Sequence, residues 1–390
     1  MLYFIVSTII FLAALPILYW LHRQAKLDVV TTPVPPSPGG PPISVIIPAR
    51  NEERNIKACI EAVLAQDYSN FEVLVLDDRS TDSTPVILAE LSAHEPRLVV
   101  LFGKELPEGW AGKPHALYQA AKSATGEWLC FIDADTFIEP NALSATLAKA
   151  NESGADLYSI VTTQLTGSFW EKTVQPIVLT AFKIVFSPQK INDPKHRDAI
   201  ANGQFILIKR SVYDAVGGYE VVKNQIVEDK ALAEQVKWNG YKLVLAEGYA
   251  MAKTRMYTSL STLWEGWTKN IYLSLKGHPT RLLWGAFGAS LALVMAFGMP
   301  LWTLLAAAWG LNGGGLLAVM MLVESLVVWS VLFHLRARAA QAMKISGWYA
   351  LTTPIGAAVF AAMILVSAWK VLSGRGVSWK GRTYDPKVIR

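Results

Sequence analysis

The stretch that decides the fold is LCFIDAD, from Leu129 to Asp135, in which an apolar strand ends on two aspartates one residue apart. At the carboxyl end of a strand, an Asp-x-Asp pair can hold a hard divalent cation, which in turn can hold a diphosphate. The pair therefore indicates a substrate such as a nucleotide sugar. An isolated Asp-x-Asp is also typical of a solvated acidic turn, so the surrounding sequence has to decide.

Apolar strands alternate with helices around this stretch. The pattern predicts strands at residues 44–48, 71–76, 98–102 and 128–132, and helices at residues 52–65, 83–93 and 115–123. Strands that are apolar throughout and alternate with helices indicate a parallel sheet covered on both faces. We therefore predict an α/β fold that binds its ligand at the carboxyl ends of the strands.

Polar side chains follow three of these strands at that edge. Residues 48–53 read PARNEE, residues 77–82 read DDRSTD and residues 133–135 read DAD. One such turn could simply cap a helix. Three of them at the same edge of one sheet predict a binding site.

Hydrophobic residues make up 52% of the 390 residues, which is high for a purely soluble protein. Residues 1–22 are predicted to be a transmembrane signal anchor and residues 23–42 a proline-rich linker. Three long apolar stretches at 282–309, 315–334 and 347–369 predict a transmembrane region over residues 280–372, with a buried helical bundle as the alternative. The catalytic domain would then occupy residues 43–275.

Basic residues next to these segments predict the orientation. Arg23 and Lys26 after the anchor, and a predicted loop with Arg336, Arg338 and Lys344, place the domain on the cytoplasmic side of the cytoplasmic membrane. Four crossings would place the basic tail at residues 373–390 outside, against this charge rule, whereas one re-entrant stretch would keep it in the cytoplasm. The cytoplasmic tail is favoured. The net charge of +5 favours anionic headgroups, and no nucleic-acid-binding motif is present in the sequence.

Gly112-Lys113 and Glu228-Asp229 complete an ordered set with the three turns. Together these motifs resemble the family 2 glycosyltransferases of the GT-A fold, over about residues 43–275. The resemblance implies a GT-A type nucleotide-sugar domain with a mostly parallel sheet. It also implies an inverting transfer from a nucleotide-diphosphate sugar, usually a UDP-sugar, with Mg²⁺ or Mn²⁺ as the cofactor.

The resemblance also implies roles for single residues. Asp78 would contact the uracil, Asp133 the ribose or a metal-bound water, and Asp135 the metal that bridges both phosphates. The family's GKxxALNxG reads GKPHALYQA at residues 112–120, so two positions of that pattern are replaced. The implied nucleotide-sugar-binding residues are Pro48, Arg50, Glu52, Asp77, Asp78, Lys113 and Asp133, and the implied metal ligands are Asp133 and Asp135.

An inverting transfer needs a base that takes the proton of the acceptor hydroxyl. Asp229 is the candidate base and Glu228 its supporting carboxylate, although a carboxylate at a helix start can also balance the helix dipole. The predicted acceptor-binding residues are Gln204, Trp264, Trp267 and Lys269. The two tryptophans, three residues apart on one helical face, could equally anchor the chain at the membrane interface.

Membrane-bound enzymes that polymerise sugars usually carry Gln-x-x-Arg-Trp after the base, and residues 255–270 lack it. The chain is more similar to transferases that glucosylate hydroxylated carotenoids of the hydroxychlorobactene type, and to hopanoid-associated relatives. We therefore expect the transfer of a hexose, with glucose favoured, to a hydroxyl of an isoprenoid lipid such as a carotenoid. Two alternatives stay open: a polyprenyl-phosphate sugar synthase, and a non-catalytic membrane scaffold or lipid-binding protein that retains the fold.

Overall fold

The structure is a computed structural model that describes residues 31–32, 40–185, 188–274, 315–373, 377–379 and 382–384, and also residues 288, 298, 301, 304, 305 and 308. These residues fall into two compact units. The sheet unit holds those between Leu27 and Leu165 and between Phe186 and Met256. The helical unit holds those between Thr166 and Val185 and between Tyr257 and Thr383.

The strands of the sheet unit are short and mostly buried. They are β1 (Ile43–Ala49), β2 (Phe71–Asp77), β3 (Leu98–Phe102), β4 (Trp128–Phe131), β5 (Thr136–Ile138), β6 (Leu157–Val161), β7 (Thr163–Gln164), β8 (Ile206–Lys209), β9 (Leu243–Glu247) and β10 (Ala252–Thr254). Seven of them form one sheet in the order β3-β2-β1-β4-β8-β6-β9. In this sheet β8 runs antiparallel to both β4 and β6, and the other pairings are parallel.

Helices follow most of the strands. The first four helices of the sheet unit are α1 (Ile56–Leu64), α2 (Thr84–Ser92), α3 (Gly112–Ser123) and α4 (Ala142–Ser153). The next helix along the chain, α5 (Phe169–Val185), belongs to the helical unit. The remaining helices of the sheet unit are α6 (Pro188–Asn192), α7 (Arg210–Ala215), α8 (Gly218–Val221) and α9 (Glu228–Trp238). Neighbouring residues of β1 point to opposite faces of the sheet. Ile47 packs in one core cluster with Cys59 of α1, and Ile46 packs in the other with Leu117 of α3. The predicted α/β fold with a sheet covered on both faces is therefore confirmed.

The four predicted strands are confirmed, and their ends differ from the prediction by one residue at most. The first predicted helix was too long, because residues 52–55 form a turn in which the Asn55 and Ile56 amides donate to the Glu52 carbonyl. The helix predicted at residues 115–123 begins earlier, at Gly112, which places Lys113 in its first turn. The antiparallel direction of β8 and the second sheet, of order β5-β10-β7, were not predicted from the sequence.

The helical unit contains, besides α5, the helices α10 (Leu260–Ser274), α11 (Gly315–Ala342) and α12 (Thr353–Leu372), and the short strands β11 (Val377–Trp379) and β12 (Arg382–Tyr384). By length and composition, two stretches are long and apolar enough to cross a membrane, Ala318–Gln341 and Gly347–Lys370. They correspond to the second and third predicted apolar stretches. The predicted N-terminal anchor lies outside the described residues, as do most of the linker and most of the stretch at 282–309.

The predicted basic loop is corrected at two of its three residues. Arg336 and Arg338 belong to α11, which continues to Ala342, and only Lys344 lies beyond that helix. The alanine-rich end of α11 favours helix, so the chain does not turn at the first charges. Arg336 Nε donates to Thr353 Oγ1 at the start of α12, at 3.2 Å.

Helices α5 and α12 approach closely in the helical unit. A Cβ atom on Gly356 would lie 2.4 Å from the carbonyl oxygen of Thr173 and 2.7 Å from Ile177 Cδ1. Real side chains do not tolerate such distances, so the contact between these two helices requires glycine at residue 356.

Candidate active site

The loops after β1 and β2 are joined by hydrogen bonds at the carboxyl edge of the large sheet. The Thr81 amide donates to Asn51 Oδ1 at 2.8 Å, and the Asn51 amide donates to Ser80 Oγ at 2.9 Å. Asn51 and Arg79 have φ angles of 54° and 56°, in the left-handed region. PARNEE and DDRSTD, which the sequence analysis treated as separate turns, therefore form one surface.

Asp77 and Asp78, at the start of the second loop, are buried in this surface. The Ser80 amide donates to Asp77 Oδ1 at 3.2 Å. Arg50 donates to the backbone oxygen of Asp78 at 2.7 Å, and its guanidinium lies 3.9 Å from the Asp78 carboxylate. Glu52 is fixed at the same edge by its amide, which donates to Thr84 Oγ1 at 2.9 Å. The structure thus brings these predicted nucleotide-binding residues to the same edge of the sheet.

Lys113 links the Asp-x-Asp turn to the Glu-Asp pair. Its ammonium nitrogen lies 2.6 Å from Asp133 Oδ1 and 2.7 Å from Glu228 Oε1. Burial alone would lower the pKa of Lys113, but the negative charges of Asp133, Glu228 and Asp229 outweigh burial and raise this pKa well above its usual value. Lys113 is therefore a permanent positive charge between the two pairs of carboxylates.

Asp229 lies in the first turn of α9 and accepts two backbone hydrogen bonds. The Gly203 amide donates to Oδ2 at 2.9 Å, and the Lys230 amide donates to Oδ1 at 2.7 Å. Burial and the neighbouring negative charge of Glu228 raise the pKa of Asp229 to about 6, against the opposing effects of Lys113 and the two amides. At neutral pH this carboxylate is ionised and can accept a proton.

A side chain at Gly203 would crowd the charged groups of the site. A Cβ atom at this position would lie 3.0 Å from Asp229 Oδ2 and 3.3 Å from Lys113 Nζ. Gly203 was not predicted as a site residue, because no turn motif marks it in the sequence. Only the approach of α3 and α9 in the folded chain reveals why the position is glycine.

The two aspartates of the Asp-x-Asp turn have different environments. Asp133 pairs with Lys113, and although burial raises the pKa of Asp133, the lysine opposes that effect. Thr254 Oγ1 donates to the backbone oxygen of Asp135 at 2.9 Å and lies 3.4 Å from its Oδ1. Within the described ranges no group of three or more His, Cys, Asp or Glu side chains could hold a metal ion. Mg²⁺ and ions like it usually use one or two carboxylates plus substrate phosphates and water, so this donor set fits such an ion only together with a diphosphate.

A small cleft lies where these elements meet. It is lined by Pro48, Lys113, Leu117, Phe131, Ile132, Asp133, Gly203, Tyr219 and Glu228. Four predicted site residues are in this list, whereas Gly203 and Tyr219 were not predicted as site residues. Tyr219 follows the Gly217-Gly218 turn, and Phe131 packs edge-on against its ring with the centroids 5.1 Å apart.

The predicted acceptor-binding residues are not among those that line this cleft. Gln204 is 4% exposed, and its side-chain oxygen accepts hydrogen bonds from Thr162, Gln164 and Asn202. Trp264, Trp267 and Lys269 lie on α10 of the helical unit, where Trp267 is buried and its ring centroid is 5.8 Å from that of Tyr257. Acceptor binding by these four residues stays a prediction.

The mostly parallel sheet agrees with the GT-A type α/β fold predicted from the sequence, and the comparisons with known proteins agree as well. Residues 44–217 match the sequence model of the family described as Glycosyl transferase family 2. Residues 44–217 therefore form a family 2 glycosyltransferase domain, and the sequence-based predictions of such a domain and of a glycosyltransferase are confirmed.

Two relatives extend the comparison. A 4,4'-diaponeurosporenoate glycosyltransferase of Staphylococcus aureus (strain MRSA252) is 26% identical over 349 residues, which cover 88% of each chain. The solved structure of the mannosyltransferase PcManGT from Pyrobaculum calidifontis, in complex with GDP-Man and Mn2+, has a TM-score of 0.50 and 20% identity. That similarity covers 94% of this chain and 98% of the other, and it confirms the GT-A fold.

Proposed function

We propose that the chain transfers a hexose, with glucose favoured, from a UDP-sugar to a hydroxyl group of a membrane lipid, with inversion at the anomeric carbon. The acceptor proposed is an isoprenoid such as a carotenoid. The observation that carries the proposal is the environment of the Asp229 carboxylate, which has a pKa of about 6. Its neighbour Glu228 is joined through Lys113 to Asp133 of the Asp-x-Asp turn. A carboxylate with this pKa suits proton transfer near neutral pH.

The donor would bind at the carboxyl edge of β1, β2 and β4. The buried Asp78 carboxylate can accept a hydrogen bond from the imide N–H of uracil, while Arg50 holds the backbone at that residue. Pro48 lines the cleft between this loop and Lys113. Lys113 can add a positive charge near the diphosphate.

Asp133 and Asp135 are the residues proposed to hold Mg²⁺ or Mn²⁺ together with the donor phosphates. Their oxygens are hard ligands, which such ions prefer. When bound, the ion would neutralise charge that develops on the leaving diphosphate. The bound Mn2+ in the solved mannosyltransferase supports this proposal.

Asp229 would act on the acceptor. The acceptor hydroxyl oxygen forms a bond to the anomeric carbon, the bond from that carbon to the phosphate oxygen breaks, and the hydroxyl proton passes to Asp229. The amides of Gly203 and Lys230 fix the orientation of the base. Glu228, paired with Lys113, adds the negative charge that keeps Asp229 basic enough for this step.

A membrane acceptor is supported by the helical unit and by the relative. Two stretches of the described chain are long and apolar enough to cross a membrane. The S. aureus relative is named for a carotenoid-type substrate, and the similarity covers 88% of both chains. We place the enzyme in the cytoplasmic membrane with its catalytic domain in the cytoplasm, and Trp264, Trp267 and Lys269 near the acceptor.

The chemistry of the acceptor decides whether a base is needed. A hydroxyl must lose its proton during transfer, whereas a phosphate or a carboxylate is already ionised at neutral pH. The name of the relative's substrate ends in -oate, which denotes a carboxylate. The raised pKa of Asp229 favours a hydroxyl here, and an acceptor panel should contain all three groups.

The test uses the full-length protein purified in detergent. It is incubated with UDP-sugars, Mn²⁺ or Mg²⁺ and hydroxylated, carboxylated or phosphorylated isoprenoids, and products are followed by mass spectrometry. The comparison variants are Asp229→Asn and Glu234→Gln, since Glu234 is a carboxylate of the same helix that pairs with Lys230. We expect a glycolipid from the hydroxylated acceptor, about 10²- to 10⁴-fold less with Asp229→Asn, and unchanged turnover with Glu234→Gln.

Other results would favour the alternatives. Full activity of Asp229→Asn on a polyprenyl phosphate would favour a polyprenyl-phosphate sugar synthase. UDP binding without turnover on any acceptor would favour a non-catalytic membrane protein that retains the fold.

A further inference from the structure

A buried group of hydrogen-bonded side chains lies beneath the loop that carries Gly203. This amide cluster consists of Thr162, Gln164, Asn202 and Gln204. Its centre is Gln204 Oε1, which accepts from the Thr162 hydroxyl, from Gln164 Nε2 at 3.0 Å and from Asn202 Nδ2 at 3.3 Å. Thr162 is 1% exposed and Gln204 is 4% exposed, whereas Gln164 and Asn202 are half-buried, so the centre of the cluster lies away from bulk water.

The amide cluster fixes the loop at residues 202–204 to the end of β6. Asn202 Nδ2 donates to the Ile160 carbonyl at 2.9 Å, and the Asn202 amide donates to Ser159 Oγ at 2.8 Å. The Ser159 hydroxyl in turn donates to the Phe205 carbonyl at 2.9 Å. Because both sides of Gly203 are tied in this way, its amide is held pointing at the Asp229 carboxylate.

The other end of the amide cluster reaches the Asp-x-Asp turn. Gln164 lies on β7, opposite Thr254 of β10 in the small sheet. Thr254 Oγ1 donates to the backbone oxygen of Asp135, and β10 pairs with β5, the strand that follows this turn. A continuous path of strand pairing and hydrogen bonds thus joins Asp135 to Asp229.

We propose that the amide cluster is a positioning device that sets the Asp229 carboxylate relative to the Asp-x-Asp turn, with Gln204 as its central positioning residue. The inference rests on the proposed function, in which Asp229 is the base. Hydrogen bonds that share one buried acceptor, as those to Gln204 Oε1 do, are stronger than they would be in water, and small displacements of a catalytic group are costly in rate. In this proposal Gln204 holds the loop, and the acceptor binding expected from the sequence stays a separate prediction.

Gln204→Leu separates this role from acceptor binding. The substitution removes the shared acceptor and leaves the donors of Thr162, Gln164 and Asn202 without it, so the loop should relax and the Gly203 bond to Asp229 should lengthen. That bond stabilises the ionised carboxylate, and its loss raises the pKa of Asp229. The other groups that face Asp229 are unchanged in the variant: Glu228, Lys113, Tyr219 and the Lys230 amide.

Gln66→Leu is the matched control. Gln66 is also a buried glutamine, 8% exposed, with bonds to the Ala62 and Glu139 carbonyls and to the Leu143 amide. Both variants should lower the melting temperature of the full-length protein. Only Gln204→Leu should lower kcat at least tenfold with the donor KM within twofold, and shift the acid limb of the pH profile to higher pH. Equal kcat and equal acid limbs in the two variants would overturn the proposal.

A second readout does not depend on sugar transfer. Carbodiimide labelling of Asp229, followed by mass spectrometry across pH, reports when this carboxyl is protonated. The midpoint should lie higher in Gln204→Leu than in the wild type and in Gln66→Leu, with Thr162→Val in between. An unchanged midpoint would overturn the positioning role. Absence of transfer by the wild type, with a shifted midpoint, would contradict only the proposed function.

Discussion

Lys113→Met should move the acid limb of the pH dependence of kcat/KM to higher pH. This limb reports the protonation of the essential base in the free enzyme, and we assign it to Asp229, with a pKa of about 6. The base works only when ionised, so activity falls as the pH drops through this value. Removing the positive charge of Lys113 disfavours the ionised form, so the fall begins at a higher pH.

The size of the shift follows from the geometry. The position of a Cβ on Gly203 is 3.0 Å from Asp229 Oδ2 and 3.3 Å from Lys113 Nζ, so the two charges are at most 6.3 Å apart. With an effective dielectric constant of about 20, this separation gives an attraction of about 2.6 kcal/mol. A shift of one pH unit corresponds to about 1.4 kcal/mol. Relaxation around the new side chain reduces the effect, and we expect a shift of about 1 to 2 pH units.

The assay measures initial rates of glycolipid formation from pH 5 to 9 at low donor concentration. Lys113→Arg keeps the charge and should leave the limb near its wild-type position. Lys122→Met removes a lysine from the same helix, where its ammonium lies 4.2 Å from the centre of the Tyr118 ring, and should also leave the limb in place. A limb in Lys113→Met that coincides with the wild-type limb would refute the assignment of Asp229 as the base coupled to Lys113.

Three further outcomes are expected. Gly203→Ala places a methyl group 3.0 Å from Asp229 Oδ2 and 3.3 Å from Lys113 Nζ. The value of kcat should therefore fall at least about tenfold, while the melting temperature changes little. An unchanged kcat would contradict this crowding. Gly356→Leu forces a side chain against the Thr173 carbonyl and should destabilise the protein in detergent by about 1–3 kcal/mol; an unaltered melting temperature would show that α5 and α12 do not pack this closely. Removal of divalent cations by a chelator should abolish transfer, and Mn²⁺ or Mg²⁺ should restore it; activity that survives chelation would contradict the assignment of Asp133 and Asp135.

The first half of the sheet could be predicted from the sequence because β1, β2 and β4 are continuous apolar runs that end in polar turns. The direction of β8 could not be predicted from the sequence. Its four residues, ILIK, read the same for a parallel or an antiparallel strand, and no local signal fixes the direction. The two-residue strand β7 is shorter than any periodic pattern can reveal.

The candidate site could be predicted where a motif carries the chemistry. Asp133, Lys113 and Glu228 were each identified from short motifs, but their mutual pairing depends on the contact between α3 and α9, which are far apart in sequence. Gly203 and the amide cluster could not be predicted, because hydrogen bonds between residues about forty positions apart leave no local pattern. The predicted end of α11 was wrong because the apolar stretch was ended at residue 334, before the first arginine, whereas the helix continues to Ala342. Long arginine side chains are compatible with a helix.

The anomeric configuration of the product shows whether transfer inverts the donor sugar, and the yield from Asp229→Asn shows whether Asp229 is the base. Wild type and Asp229→Asn are incubated in parallel with UDP-α-glucose, a divalent cation and a hydroxylated isoprenoid, and the configuration at the glucosyl anomeric carbon is read by proton NMR. We expect a β-linked glycolipid from the wild type and almost none from Asp229→Asn. An α-linked product, or an equal yield from the variant, would contradict an inverting transfer with Asp229 as its base.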